Sequence, residues 1–155
     1  MSDASCIYER IAAAGIKLNP PGKPVAAYVP FVESGKLLFL SGHIAKQAGQ
    51  PWVGQLGRDM DTATGVGAAR AIAVDVLGTL QAATGDLNRI ARILKVLCLV
   101  NSSAEYREHH IVANGFSETL EEIFGDAGKH ARSAFGVAQI PSGACVEVEL
   151  IAELR

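Results

Sequence analysis

Arg132 is the side chain whose surroundings in the sequence point most directly to chemistry. It stands in Ala131-Arg132-Ser133-Ala134-Phe135-Gly136-Val137, where Arg132, Ala134 and Gly136 share one parity and Phe135 and Val137 the other. A guanidinium among small residues offers a fork that matches a carboxylate through two parallel N–H bonds, with open backbone for the rest of a small ligand. Glu147 and Glu149 follow in Cys145-Val146-Glu147-Val148-Glu149-Leu150, alternating with apolar residues. A carboxylate near such a clamp can orient a water or pass a proton. A regular hairpin joining the two segments across Pro141-Ser142-Gly143 puts Phe135 on the core side with Val146 and Val148. Arg132, Ala134 and Gly136 then share the outer face with Glu147 and Glu149. The same residues also fit a solvated sheet face with ordinary surface ion pairs.

The remaining polar candidates are less decisive. Tyr28 lies in the apolar run from Val25 to Phe31, as a half-buried structural aromatic or a ligand contact, and His43 opens a long polar stretch, lining a cleft or merely a loop. His109 and His110 are adjacent, so on a helix they point about 100° apart, a poor geometry for joint metal ligation. They read as surface or interface histidines. His130 stands just before the Arg132 segment, edging a pocket or the strand entry. Cys6, Cys98 and Cys145 form no CxxC pair and read as small core residues in a reducing cytosol. No GxGxxG, P-loop or zinc spacing occurs, so no metal and no organic cofactor is expected.

The elements that must position these residues can be read from periodicity. Ser5 to Gly15 has Ile7, Ile11 and Ala14 at helical spacing, with Ser2 and Asp3 as caps. Val25 to Phe31 and Lys36 to Ser41 flank a Glu33-Ser34-Gly35 turn and read as a hairpin. Gly42 to Asp61 is a polar loop of about 20 residues, a length that suggests function. Thr62 caps a long helix with Ala69, Ile72, Val76, Leu80 and Ala83 on one face, and Gly85 ends it. Ile93 to Val100 is apolar throughout, as suits a strand buried on both faces. Glu105 to Phe124 returns to helical spacing before Gly125, and Ala131 to Gln139 and Cys145 to Leu154 are closing strands. The sum is α+β: two long helices against one face of a mixed or antiparallel sheet, leaving the other face to solvent or to another subunit.

Composition excludes several classes. The 155 residues are 49% hydrophobic, enough for one domain spanning 1–155, with 1–24 as an N-terminal helical extension. Lys and Arg number 14 against 16 Asp and Glu, a net charge of -2 without a basic tract, so no nucleic-acid partner is expected. Ala68 to Leu80, broken by Arg70 and Asp75, falls short of the roughly 20 residues of a membrane span. With no basic leader at Met1-Ser2-Asp3-Ala4, the expectation is a soluble cytoplasmic protein.

The segment from His130 to Ala152, with its Ala-Arg-Ser strand, Ile-Pro turn and Val-Glu-Val-Glu strand, resembles the C-terminal signature of the YjgF/RidA family. Ala27-Tyr28-Val29, Leu38-Phe39-Leu40-Ser41-Gly42 and Gly85-Asp86-Leu87 resemble the family's first hairpin and the loop after its first long helix. The resemblance runs over about residues 25 to 155 and implies a chorismate-mutase-like fold, assembled as a homotrimer with sites in clefts between subunits. It further implies hydrolytic deamination of 2-imino acids, with Arg132 clamping the carboxylate, Glu147 holding the attacking water and Tyr28 lining the site. Ala134 and His43 would also meet the ligand; they stand where the family commonly has Cys and Gln, as His130 stands for a common Pro. Two alternatives accompany this expectation. One is a non-catalytic trimer that binds a small carboxylate as a regulator; the other is an endoribonuclease or translation-inhibitor activity of the L-PSP kind.

Overall fold

The computed structural model describes residues 4–24 and 26–155. Its elements run α1 (Ala4–Ala13), β1 (Phe31–Ser34), β2 (Leu37–Leu40) and three two-residue strands, β3 (His43–Ile44), β4 (Lys46–Gln47) and β5 (Gln50–Pro51). Then come α2 (Thr62–Thr84), β6 (Ile90–Asn101), α3 (His109–Phe124), β7 (Ala131–Val137) and β8 (Val146–Leu154). The expected caps Ser2 and Asp3, and Val25 at the head of the first expected strand, lie outside the described residues, as does the side chain of Cys6.

The long apolar strand organises the sheet. Its order is β1-β2-β8-β6-β7, with β3 also pairing with β8; β6 and β7 are parallel and the other pairs antiparallel. One face carries Val96, Cys98 and Val100 of β6 and Val146, Val148, Leu150 and Ala152 of β8, all buried beneath α2 and α3. Ile72, Val76, Leu77 and Leu80 of α2 and Val112, Phe116, Leu120 and Ile123 of α3 complete this core. The opposite face exposes Val32, Leu37, Phe39 and Phe135. The mixed α+β architecture with its helices gathered on one face therefore matches the periodicity.

Local details differ from expectation. The first strand is Phe31–Ser34 only, because the turn falls at Gly35-Lys36, where Gly35 takes a φ of 60°. The stretch from Gly42 to Asp61 is not a plain loop: β4 and β5 form a tight hairpin through Ala48 and Gly49, both at positive φ, and Leu56 bridges to Ser102. Asp61, not Thr62, caps α2, its carboxylate accepting from Thr64 N, and Gly85 ends the helix in the left-handed conformation. α2 is 23 residues and, by length and composition alone, apolar enough to cross a bilayer; its buried side chains instead form the core against β8 and α3.

The main correction concerns β7 and β8, which are not neighbours. β6 lies between them, pairing with both. The registers align Arg132 with Val96 and Leu150, Ala134 with Cys98 and Val148, and Gly136 with Val100 and Val146, all on the helix-covered face. Phe135 aligns with Leu99 and Glu147 on the open face. The expected parity of β7 is thus inverted. Its small residues face inward because α3 passes close by: a Cβ on Gly136 would strike Ser102 Oγ and His109 Nε2.

Candidate functional site

Arg132 leaves the edge strand β7 on the helix side and reaches α3. Its Nη1 donates to Asn114 Oδ1 at 3.0 Å and to Ser117 Oγ at 3.0 Å, and its Nη2 donates to the His110 carbonyl at 3.1 Å. These acceptors follow the spacing 110, 114, 117, one stripe along a helix. Ser117 extends the network to His130. The His130 Nδ1 lies 2.6 Å from the Gly128 carbonyl, which can only accept, so that nitrogen carries the proton. Nε2 then accepts from Ser117 Oγ at 2.9 Å, while Ser117 accepts from Arg132. Burial first, and the Arg132 charge as a lesser cause, hold the His130 pKa below its usual value, which favours this neutral form. All the acceptors of Arg132 are neutral, and among the described residues no carboxylate lies within ion-pair distance of its guanidinium. A partly buried cation held only by neutral groups keeps its attraction for an anion.

Glu147 sits on the other face of the sheet. Its carboxyl lies over Gly42, where any Cβ would collide with Oε1, so the glycine makes the seat for the acid. Burial, reinforced by neighbouring Glu149, pushes the Glu147 pKa up. Tyr28 is exposed, and the chain beside it is pinned near this seat: Ser41 Oγ donates to the Val29 carbonyl at 2.6 Å and Ser41 N to the Pro30 carbonyl. One chain therefore brings Glu147 and the Tyr28 segment into one region and holds Arg132 on the opposite side of the sheet.

The other expected residues divide similarly. Ala134 packs against the core beside Cys98, next along the strand from Arg132. His43 faces α2: its Nδ1 donates to the Ser41 carbonyl at 2.8 Å and its Nε2 accepts from Thr79 Oγ1 at 2.8 Å. Burial lowers its pKa. Both ring nitrogens are engaged within the chain, and these bonds fix the imidazole at the start of β3. Burial also raises Cys98 to about 12 and Cys145 to about 11, which makes both thiols inert core groups. The network of Asn114, Ser117 and His130 went unread in the sequence. Its signal was the polar stripe His110, Asn114, Ser117 in a helix whose other face is apolar.

The comparisons with known proteins fit this architecture. The family described as "YjgF/chorismate mutase-like, putative endoribonuclease" matches residues 8–154. Protein TCP17 of Trypanosoma cruzi is 45% identical over 143 residues, covering 91% of this chain and 89% of its own. The crystal structure of Atu1372 from Agrobacterium tumefaciens, titled as a protein of unknown function, has a TM-score of 0.89 at 38% identity, covering 98% of this chain and 96% of that one. A "putative endoribonuclease" from Shewanella oneidensis has a TM-score of 0.91 at 32% identity, covering 95% and 98%. With the Arg132 strand, the Glu147 strand and the sheet order all inside the matched span, the chain belongs to the YjgF/chorismate mutase-like family.

Proposed function

We propose that this protein hydrolyses small reactive 2-imino acids in a cleft between copies of itself, where one copy provides Arg132 and another provides Glu147 and Tyr28. The observation that carries this reading is the unneutralised Arg132 guanidinium on an edge strand, preset by Asn114, Ser117 and the His110 carbonyl. A substrate carboxylate supplies the missing charge. Within one chain Arg132 and Glu147 occupy opposite sheet faces, so a joint site needs the open face of one copy against the β7 edge of the next. The family resemblance supports the same arrangement, a homotrimer with sites between subunits.

The chemistry asks little of acids and bases. Water held by Glu147 adds to the imine carbon, and the carbinolamine expels ammonia to leave a 2-oxo acid. Burial and the neighbouring Glu149 make the Glu147 carboxyl hold a proton more readily than a free carboxylate, which suits it to take up and return that proton. Positioning supplies most of the rate. The test is ammonia release from a 2-imino acid generated in situ by an amino-acid oxidase. Wild-type protein is expected to accelerate it, with Arg132→Ala and Glu147→Gln each losing at least about tenfold. Equal release with and without wild-type protein would rule the reading out.

The separation of Arg132 from Glu147 within a chain favours a second reading, in which the cleft binds a small carboxylate without turning it over. A 2-oxo acid that raises the melting temperature, together with no acceleration in the imine assay, selects this alternative.

A further inference from the structure

A second polar constellation lies four residues along β7 from Arg132, about 13 Å at the usual strand rise. There the ends of β6 and β7 and the start of α3 enclose an open pocket of about 500 Å³, lined among others by Ser102, Ser103, Tyr106, His109 and Gly136. Ser102 Oγ and His109 Nε2 are 2.9 Å apart, the separation of a nucleophile and its base. The Tyr106 ring meets His109 edge-on, centroids 5.2 Å apart, and its hydroxyl is anchored on Thr62 Oγ1 at 2.8 Å, so the imidazole is braced from the side. The Ser102 backbone carbonyl accepts from Gln55 Nε2 at 3.4 Å. Burial keeps His109 below its ordinary pKa, in the neutral state a base requires. Gly136 lets β7 pack directly against the pair, since a Cβ there would strike both Ser102 Oγ and His109 Nε2.

We infer that Ser102 and His109 form a nucleophile–base pair that accepts acyl groups from small esters, at a site separate from Arg132. Ser102 Oγ bonds to the acyl carbon as its proton passes to His109 Nε2. The bond from that carbon to the ester oxygen then breaks, and the departing alcohol leaves with the proton. Water repeats the sequence, His109 taking one of its protons, and the carboxylic acid departs as Ser102 regains its hydrogen. None of these steps involves the imine chemistry above.

The experiment treats the intact protein with an ethoxy fluorophosphonate, which reports an activated serine hydroxyl as a covalent adduct. Intact mass and peptide mapping should show one adduct, on Ser102. Ser102→Ala should abolish it, and His109→Asn and Gly136→Ala should each slow labelling by about tenfold or more. All three variants should keep the wild-type circular dichroism spectrum. Absence of an adduct on folded wild-type protein overturns the inference, as does an adduct mapped to another residue or a His109→Asn variant labelled at the wild-type rate.

Discussion

Removing a carboxyl group from water and setting a second one beside it makes it hold its proton, and Glu147 meets both conditions. The consequence for stability has a definite sign. Because its folded pKa is raised, the folded state binds the proton more tightly than the unfolded chain does. Any stabilisation from Glu147 is thus present below the ordinary carboxylate pKa and lost as pH rises through the raised value. Glu147→Gln should therefore stabilise the protein at pH 8 by less than about 1 kcal/mol, the side chain being only half buried. The gain should vanish near pH 4, where both variants carry a neutral group. Urea midpoints at the two pH values measure it, and a Gln variant weaker than wild type at pH 8 would contradict it.

At the scale of elements, the sequence was legible wherever a pattern refers only to itself. The periodicity of α2, the stop at Gly85 and the alternation of β8 need no partner to be read. β7 failed for a corresponding reason. Which of its faces is inward depends on β6 lying between it and β8, and on how close α3 comes, neither of which its own seven residues record. Side-chain bulk is the misleading cue: Phe135 takes the open face, while the face toward α3 carries Ala134 and Gly136 beside Arg132, whose guanidinium reaches along that helix. Close approach also governs the helix pair, where a Cβ on Gly115 of α3 would meet the Val66 carbonyl oxygen of α2. Gly115→Ala must push the helices apart and should cost about 1–3 kcal/mol. Gly67→Ala, with open space around the new methyl, should instead stabilise α2 by about 0.5–1 kcal/mol. Urea denaturation of the two variants tests the contact, and equal losses would show that Gly115 owes its place to something else.

For the whole molecule, the feature that calls for a partner is the open sheet face. Val32 is 53% exposed, Phe135 48%, Phe39 40% and Leu37 37%, and these residues lie on a face that also bears Leu97, Leu99 and Ile151. Apolar side chains gathered on one surface favour burial against another protein surface. In the proposed function a second copy is the occupant, since it would carry Glu147 on this face toward an Arg132 edge that one chain alone leaves apart. The protein should then sediment at about three times its 16.3 kDa chain mass. Phe39→Asp places a charge in the centre of the patch and should reduce the mass to a single chain while the circular dichroism spectrum stays folded, since Phe39 contributes nothing to the buried core. If the cleft is shared, this variant should also lose imine hydrolysis although Arg132, Glu147 and Tyr28 are all untouched. A dissociated Phe39→Asp chain that retained full activity would place the whole reaction within one subunit and remove the reason for the uncovered face.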